Sequence, residues 1–287
     1  MALGASLSFA TARAGIVGGL GVADLIFARF LVAGVIMLPV VLRSGLPDLA
    51  GIGLKRALVL TALGGAPFAL LQTGGYGLAP LAHGAVIAPS TVTIVSTIGA
   101  TLFLGERLGP SHLAGAIIVL LGVGLIGWDG LAASHDGKGA WVGDLMFFLS
   151  SILWAGFTLL LRYWRLSALR ATAVVALLSC GLTTPIYLLW AGAEHLLALP
   201  LATLAFQGLV QGGLQGVITM IAYGQAVVLL GVSRAVLFPA IVPAVSILVG
   251  IPIVGEIPSL LQVAGLGLVT VGLLITIGVF WRPPVKP

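Results

Sequence analysis

Charge is what this chain has least of. Of its 287 residues, 13 are Lys or Arg and 8 are Asp or Glu, together 7%, where soluble domains carry about 25%. A chain of this size cannot cover a water-facing surface with so few charges, which excludes a soluble enzyme, a disordered tail and a nucleic-acid-binding domain. The net charge of +5 comes from basic residues scattered along the chain, with no basic patch to bind nucleic acid. Cysteine occurs once, as Cys180, which rules out an internal disulfide and reads as a small core residue. One Cys and four His are too few for a zinc site. An HExxH motif, paired intramembrane aspartates and a Ser/His/Asp set are all missing, so neither an enzyme, a cofactor nor a metal is expected. Gly122-Val123-Gly124-Leu125-Ile126-Gly127 fits the GxGxxG spacing. It lies inside an apolar run with no strand before it, so it reads as helix packing and not dinucleotide binding.

What is present is apolar length. Apolar residues make up 60% of the chain and the mean hydropathy is +1.22. A hydrocarbon layer of roughly 30 Å needs about 20 apolar residues per helix. Ten such segments can be read, near 2–20, 25–42, 57–79, 83–104, 111–129, 140–161, 168–190, 202–226, 232–254 and 259–281. They are continuously apolar and not alternating, which excludes a transmembrane β-barrel, and helices alone satisfy their own backbone in lipid. Ala10-Thr11-Ala12 resembles a signal-peptide cleavage site, but no basic residue precedes the short apolar run before it. That run is read as an uncleaved first span. The fold class is an all-α polytopic membrane protein in the lipid bilayer.

With the N-terminus placed in the cytoplasm, Arg43, Lys55, Arg56, Arg107, Arg162, Arg165, Arg170, Arg234, Arg282 and Lys286 fall inside, and only Lys138 outside. This bias puts both termini in the cytoplasm. Asp24, Asp129, Asp136, Asp144, Glu194 and Glu256 fall outside. Trp128, Trp141 and Trp190 lie at outer span ends, and Trp164 and Trp281 at inner ones, as interfacial anchors do.

Shifting the sequence by 150 positions superposes Pro89 on Pro239, Ser96 on Ser246, Gly105-Glu106 on Gly255-Glu256, Gly115 on Gly265 and Gly122 on Gly272. Tyr76-Gly77 meets Tyr223-Gly224 after a three-residue slip. The chain thus reads as two repeats, 1–131 and 140–281, of five spans each. Five is odd, so the second copy starts from the opposite face and the repeats are inverted. Many secondary transporters are built this way, with a site near the midplane at the repeat interface.

The pattern Pro89, Gly105-Glu106-Arg107-Leu108, Gly115, Gly122, with its echo at Pro239, Gly255-Glu256, Gly265 and Gly272, resembles the paired EamA repeat of the drug/metabolite transporter superfamily. Gly143-Asp144 leading into Ser150-Ser151-Ile152-Leu153-Trp154-Ala155 resembles the opening of that family's second repeat. The first span departs from the pattern in lacking a matching tryptophan. The resemblance covers nearly the whole chain and implies ten helices and export of small metabolites across the cell (inner) membrane. Within the superfamily the chain is most similar to the YddG-type aromatic amino-acid exporters.

Polar side chains inside a bilayer are costly and so mark candidate sites. In the eighth span, Gln207, Gln211, Gln215, Thr219 and Tyr223 recur every four residues beside Gly208, Gly212 and Gly216. They form either a hydrogen-bonding cavity wall or glue between packed helices. Gln72 and Tyr76 lie one turn apart. Tyr76 and Tyr223 either face a central cavity as an aromatic pair or anchor helix ends. His83, Ser90 and Thr97 share one face of the fourth span. His83 is either a substrate or proton ligand or a solvated cap. Pro89 and Pro239 are expected hinges, where a lost backbone hydrogen bond lets a gate bend, or else static kinks. Trp154 and Phe157 either stack on a flat substrate or face lipid. The candidate substrate contacts are therefore Gln72, Tyr76, His83, Ser90, Trp154, Gln211, Gln215, Tyr223 and Ser246. Arg13 is expected to reach the cytoplasm from a shifted first span, and Arg29 to snorkel or pair with Asp24. Glu106 and Glu256 are expected to lock loops or cap helices.

No Asp or Glu falls near the centre of a span. Cationic drug antiport generally uses a membrane-embedded carboxylate, so neutral or zwitterionic cargo fits better, amino acids and aromatic ones included. Proton coupling would have to use His83, and the expectation is an uncoupled facilitator working by alternating access. A proton-coupled multidrug or metabolite exporter is the alternative, and a channel is the rival class. Both repeats lie in one chain, so a functional monomer is expected. Reporter fusions should find both termini cytoplasmic; termini on opposite faces would break the inverted-repeat reading.

Overall fold

The computed structural model describes residues 2–105, 110–133, 139–235, 239 and 242–276. Glu106, Arg107, Leu108, Asp136, Lys138, Trp281, Arg282 and Lys286, which enter the charge and motif arguments, lie outside them. Among the described residues every regular element is a helix: α1 Ala2–Val17, α2 Val22–Ser44, α3 Leu54–Gly64, α4 Ala66–Leu78, α5 Leu81–Leu104, α6 Pro110–Ala133, α7 Ala140–Tyr163, α8 Ala168–Ala198, α9 Leu201–Gln207, a π-helical segment Gly208–Thr219, α10 Met220–Leu230, α11 Val232–Ala235, α12 Val242–Val254 and α13 Leu260–Thr276. Six stretches are long and apolar enough to cross a bilayer: Val22–Ser44, Leu54–Leu78, Leu81–Phe103, Ala140–Tyr163, Ala168–Gly192 and Leu201–Leu230. Shorter apolar helices cover Ala2–Val17, Ile117–Ile126, Val242–Val254 and Leu260–Ile275. Leu189, Leu201, Leu229 and Leu260 are each more than three-quarters exposed, a surface suited to hydrocarbon and not to water.

Breaks in these helices follow from backbone chemistry. Gly65 separates α3 from α4, and a Cβ there would sit 2.4 Å from Ser179 Oγ, so only glycine lets α8 come this close. In the ninth span the described helices are α11, to Ala235, and α12, from Val242, and between them Pro239 is described in a 3-10 turn. Pro239 and Pro243 have no N–H to give a helix, and each disfavours helical backbone in the residue before it. Pro89, its repeat equivalent, lies inside the unbroken α5. The two candidate hinges therefore occupy different local structures.

The repeat is visible in the backbone. Gly105 and Gly255 both adopt the left-handed conformation, with φ of 70° and 75°, so each ends its helix where a side chain would be strained. The repeat glycines of α6 and α13 also pack on one another. A Cβ on Gly122 would lie 2.7 Å from the Gly265 carbonyl oxygen, and one on Gly272 would lie 2.8 Å from that of Gly115. Position 122 meets 265 while 115 meets 272, so the two helices run antiparallel. The 150-residue shift exchanges the two contacts. Small residues allow this backbone-to-backbone approach, as in other membrane helix pairs. Gly124, one of the GxGxxG glycines, faces open space.

Gly122→Ala should therefore destabilise the protein by about 1–3 kcal/mol through overpacking. Gly124→Ala should be neutral or stabilising, since Ala is the better helix former. Thermal unfolding in detergent reads both, and equal effects would remove the crossing from its structural role.

Candidate functional site

A cavity of about 70 Å³ lies at the centre of the bundle. The first half of the chain contributes Ala5, Phe9, Phe68, Gln72, Ala88, Pro89 and Val92; the second contributes Ser151, Trp154, Gln215, Thr219, Met220, Tyr223, Pro239 and Val242. Helical spacing puts these side chains in one wall each: Phe68 and Gln72 are one turn apart on α4, as are Gln215, Thr219 and Tyr223 along the π segment and α10. The wall is aromatic and amide in character. Trp154 sits with its ring centroid 5.0 Å from Phe68, 5.7 Å from Tyr223 and 5.2 Å from Phe157, distances at which rings attract. Gln72 donates from Nε2 to the Tyr76 hydroxyl at 3.2 Å, and its Oε1 lies 2.8 Å from the Ser150 hydroxyl. The Gln215 Oε1 is buried with no hydrogen-bond partner. Among the described residues no charged side chain lines the cavity.

Of the residues singled out from sequence, Gln72, Trp154, Gln215, Tyr223, Pro89 and Pro239 meet at this cavity. Trp154 is thus on the inner side and not against lipid. Tyr76, His83, Ser90, Gln211 and Ser246 are buried but do not line it. The polar line of the eighth span divides. Gln211 donates from Nε2 to the Ser8 carbonyl at 2.7 Å and accepts from the Ser8 hydroxyl at 2.6 Å, and Gln207 donates to the Thr11 carbonyl at 2.7 Å. Both glutamines bind the π segment and α9 to α1, which presents small residues to them; Gly15 leaves the room that Gln207 fills. Only from Gln215 onward does the line turn to the cavity. Phe9, Phe68 and Ser151 were not read from sequence. The signal for Phe68 was its one-turn spacing from Gln72; Phe9 carried none.

Tyr76 instead belongs to a layer next to the cavity, 5.6 Å from the Phe9 ring and 4.8 Å from that of Phe147. Beyond it stands an ion pair. Arg13 Nε donates to Glu256 Oε1 at 2.7 Å and its Nη1 to the Tyr76 carbonyl at 2.7 Å, while the Leu81 backbone N–H donates to Glu256 Oε2 at 2.8 Å. Arg13 therefore has an acid partner that its own span does not supply. Glu256 neutralises it while capping the start of α5, which joins α1, α4, α5 and the α12–α13 connection. His83 extends the lock: Nδ1 lies 2.8 Å from Asp144 Oδ1, and Nε2 lies 3.0 Å from Gln262 Nε2. Gln262 Oε1 accepts from the Ser259 N–H, so its amide donates to Nε2 and His83 presents Nδ1–H to Asp144. His83 is thus a fully enclosed link between α5, α7 and α13, not a solvated cap. A second cavity of about 320 Å³ lies at this lock, with Glu256, Ser259 and Gln262 in its wall.

Arg29 has no ion pair with Asp24. Asp24 accepts from the Gly21 N–H, accepts from the Tyr187 hydroxyl at 2.6 Å, and lies 3.1 Å from His195 Nε2. These partners from α2 and α8 fill the carboxylate. Arg29 is buried, its Nε unpaired, with the Phe30 and Phe68 rings 5.5 and 5.9 Å from its guanidinium carbon.

A bundle of apolar helices around a small polar-and-aromatic chamber, with the described ion pairs at one end, defines an integral membrane protein built around an internal compartment. The chain belongs to the EamA-like transporter family, within the drug/metabolite transporter superfamily: residues 1–128 and again 141–278 match it. It is accordingly a membrane transporter. No curated protein matches the sequence. A solved structure described only as "Crystal structure of protein" is 20% identical, covers 99% of this chain and 98% of its own, and superposes with a TM-score of 0.63, which supports the fold.

The division of the glutamines has a direct consequence. Gln211→Leu strands several buried groups of α1 and should cost about 1–3 kcal/mol. Gln215→Leu removes an amide oxygen that has no partner and should leave stability within about 0.5 kcal/mol while altering transport. Thermal unfolding and proteoliposome uptake of the two variants check this, and a reversed order would overturn the assignment.

Proposed function

We propose that this protein exports small neutral or zwitterionic metabolites, aromatic amino acids among them, across the cell (inner) membrane by alternating access and without ion coupling, as a monomer with both termini cytoplasmic. The observation that carries this reading is the central cavity itself. Both halves of the chain contribute to it, its wall offers a Trp154–Phe68–Tyr223 surface and the Gln72 and Gln215 amides, and among the described residues no carboxylate lines it. Flat apolar groups stack on such a surface while amides bind polar ends. A cationic drug would find no counter-charge there. The aromatic wall favours the YddG-type branch of exporters.

Alternating access is supported by size and symmetry. About 70 Å³ holds a few waters but not an amino acid, so the walls must part for cargo to enter. The reciprocal antiparallel contacts of Gly122 with Gly265 and of Gly115 with Gly272 suit two inverted five-helix halves rocking about a shared axis. The Arg13–Glu256 and His83–Asp144 lock would have to open on the side that the charge bias places outside.

One observation favours a second reading. The buried His83–Asp144 pair is a titratable element within the helices, and proton exporters use such pairs. Proteoliposomes loaded with phenylalanine decide between them. Saturable counterflow without accumulation under an imposed pH gradient is expected. Accumulation would establish proton coupling, and flux without counterflow or saturation would establish a channel.

A further inference from the structure

Arg29 is a cation without a counter-ion. Its side chain is 6% exposed, its Nε is buried with no hydrogen-bond partner, and no ion pair involves it among the described residues. Asp24, the nearest acid on its own helix, is filled by Gly21, Tyr187 and His195. In the described ion pairs Glu256 holds Arg13, Asp144 holds His83 and Asp24 holds His195, and none of these acids pairs with Arg29. A guanidinium held this deep in an apolar bundle is expensive unless something neutralises it, and two aromatic rings do so only in part.

Its position says where the neutralising group comes from. The guanidinium carbon lies 5.9 Å from the centroid of Phe68, and Phe68 is a wall of the central cavity while Arg29 is not. The same ring thus borders both the cation and the chamber. The chamber as it stands holds only a few waters, and a displacement of Phe68 on cargo entry would enlarge it on the side nearest Arg29. The unpartnered Oε1 of Gln215 is already in the same wall.

We infer that Arg29 is the carboxylate receptor of the transport site, and that the cargo is an organic carboxylate whose aromatic or apolar end lies against Trp154. This rests on the transport reading above and changes its emphasis: the carboxylate is the required group, an amine is accepted only alongside it, and a carboxylate without an amine is bound as well as the zwitterion. The planar fork of arginine pairs with a carboxylate through two parallel hydrogen bonds, and the Gln215 oxygen can accept from an ammonium group. A decarboxylated amine brings a second positive charge to an uncompensated one and is rejected.

The test measures binding of L-phenylalanine, 3-phenylpropionate, phenethylamine and benzyl alcohol to the purified full chain and to Arg29→Gln and Arg29→Lys, together with thermal unfolding of each without ligand. The unaltered protein should bind both carboxylates at least about tenfold more tightly than phenethylamine. Arg29→Gln should lose that preference and leave benzyl alcohol binding unchanged, with Arg29→Lys in between. Without ligand, Arg29→Gln should unfold at the same or a higher temperature, because it removes a buried charge that has no partner. An Arg29→Gln protein that keeps the preference, or that unfolds earlier or fails to fold, overturns the inference, the latter two pointing to a structural partner such as a lipid phosphate. If the unaltered protein binds benzyl alcohol and phenethylamine as well as it binds the acids, the receptor role falls alone. If it binds none of the four, the transport reading falls with it.

Discussion

A polar group in hydrocarbon has no water to turn to, and the arrangement of this bundle depends on that constraint. Small hydroxyls can turn back on their own helix, as Thr93 and Ser151 do, but longer polar side chains find partners on other helices and so help to set which helices meet. Gln207 and Gln211 fix α9 and the π segment to the carbonyls of α1. Asp24 fixes α2 to α8 through Tyr187 and His195. Arg13 and Glu256 fix α1 to the starts of α5 and α13. Such contacts are each worth only a little in water, but in lipid the alternative is an unsatisfied group costing several kcal/mol. The groups left without partners are then informative. Among the described residues eight buried side-chain atoms have no partner, and two of them, Arg29 Nε and Gln215 Oε1, belong to residues beside or in the central wall, where the proposal above places the cargo.

Glycine solves the complementary problem of bringing backbones together where no polar group draws them. At the α6–α13 crossing the equivalent glycines of the two halves interlock, so the same sequence feature serves both sides of the contact. Elsewhere the halves have diverged. Tyr76 is covered by Phe147, Phe9 and the Arg13–Glu256 lock, whereas its counterpart Tyr223 opens onto the cavity beside Trp154. Pro89 is accommodated within α5, whereas Pro239 lies in a 3-10 turn. The fold keeps the symmetry of its frame and breaks it at the chamber.

The locked end and the chamber are adjoining layers. From the cavity outward along α1 come Phe9, then Arg13 one turn later, and then the second cavity beside Glu256 and Gln262. Ion pairs suit this position because they hold firmly when shielded and weaken once water enters between them. An apolar seal of the same area has no such dependence on hydration. Family membership makes the chain a transporter; the layered arrangement shows which contacts stand between its chamber and one end of the bundle.

Sequence alone settled whatever depends on composition and period. The shortage of charge and the apolar run lengths required a helical membrane protein, and the 150-residue register exposed the repeat whose glycines pack at α6–α13. Gln72, Trp154, Gln215 and Tyr223 were legible as polar or aromatic exceptions within apolar helices, because burial of such groups is always costly. Partner choice was not legible. That Glu256 neutralises Arg13, that Asp144 receives His83, that Gln211 binds α1 while Gln215 one turn later meets the cavity, and that Asp24 is denied to Arg29 all depend on residues far apart in the chain. Period places a side chain on a face of its own helix, but only the packing of the other helices decides what that face meets.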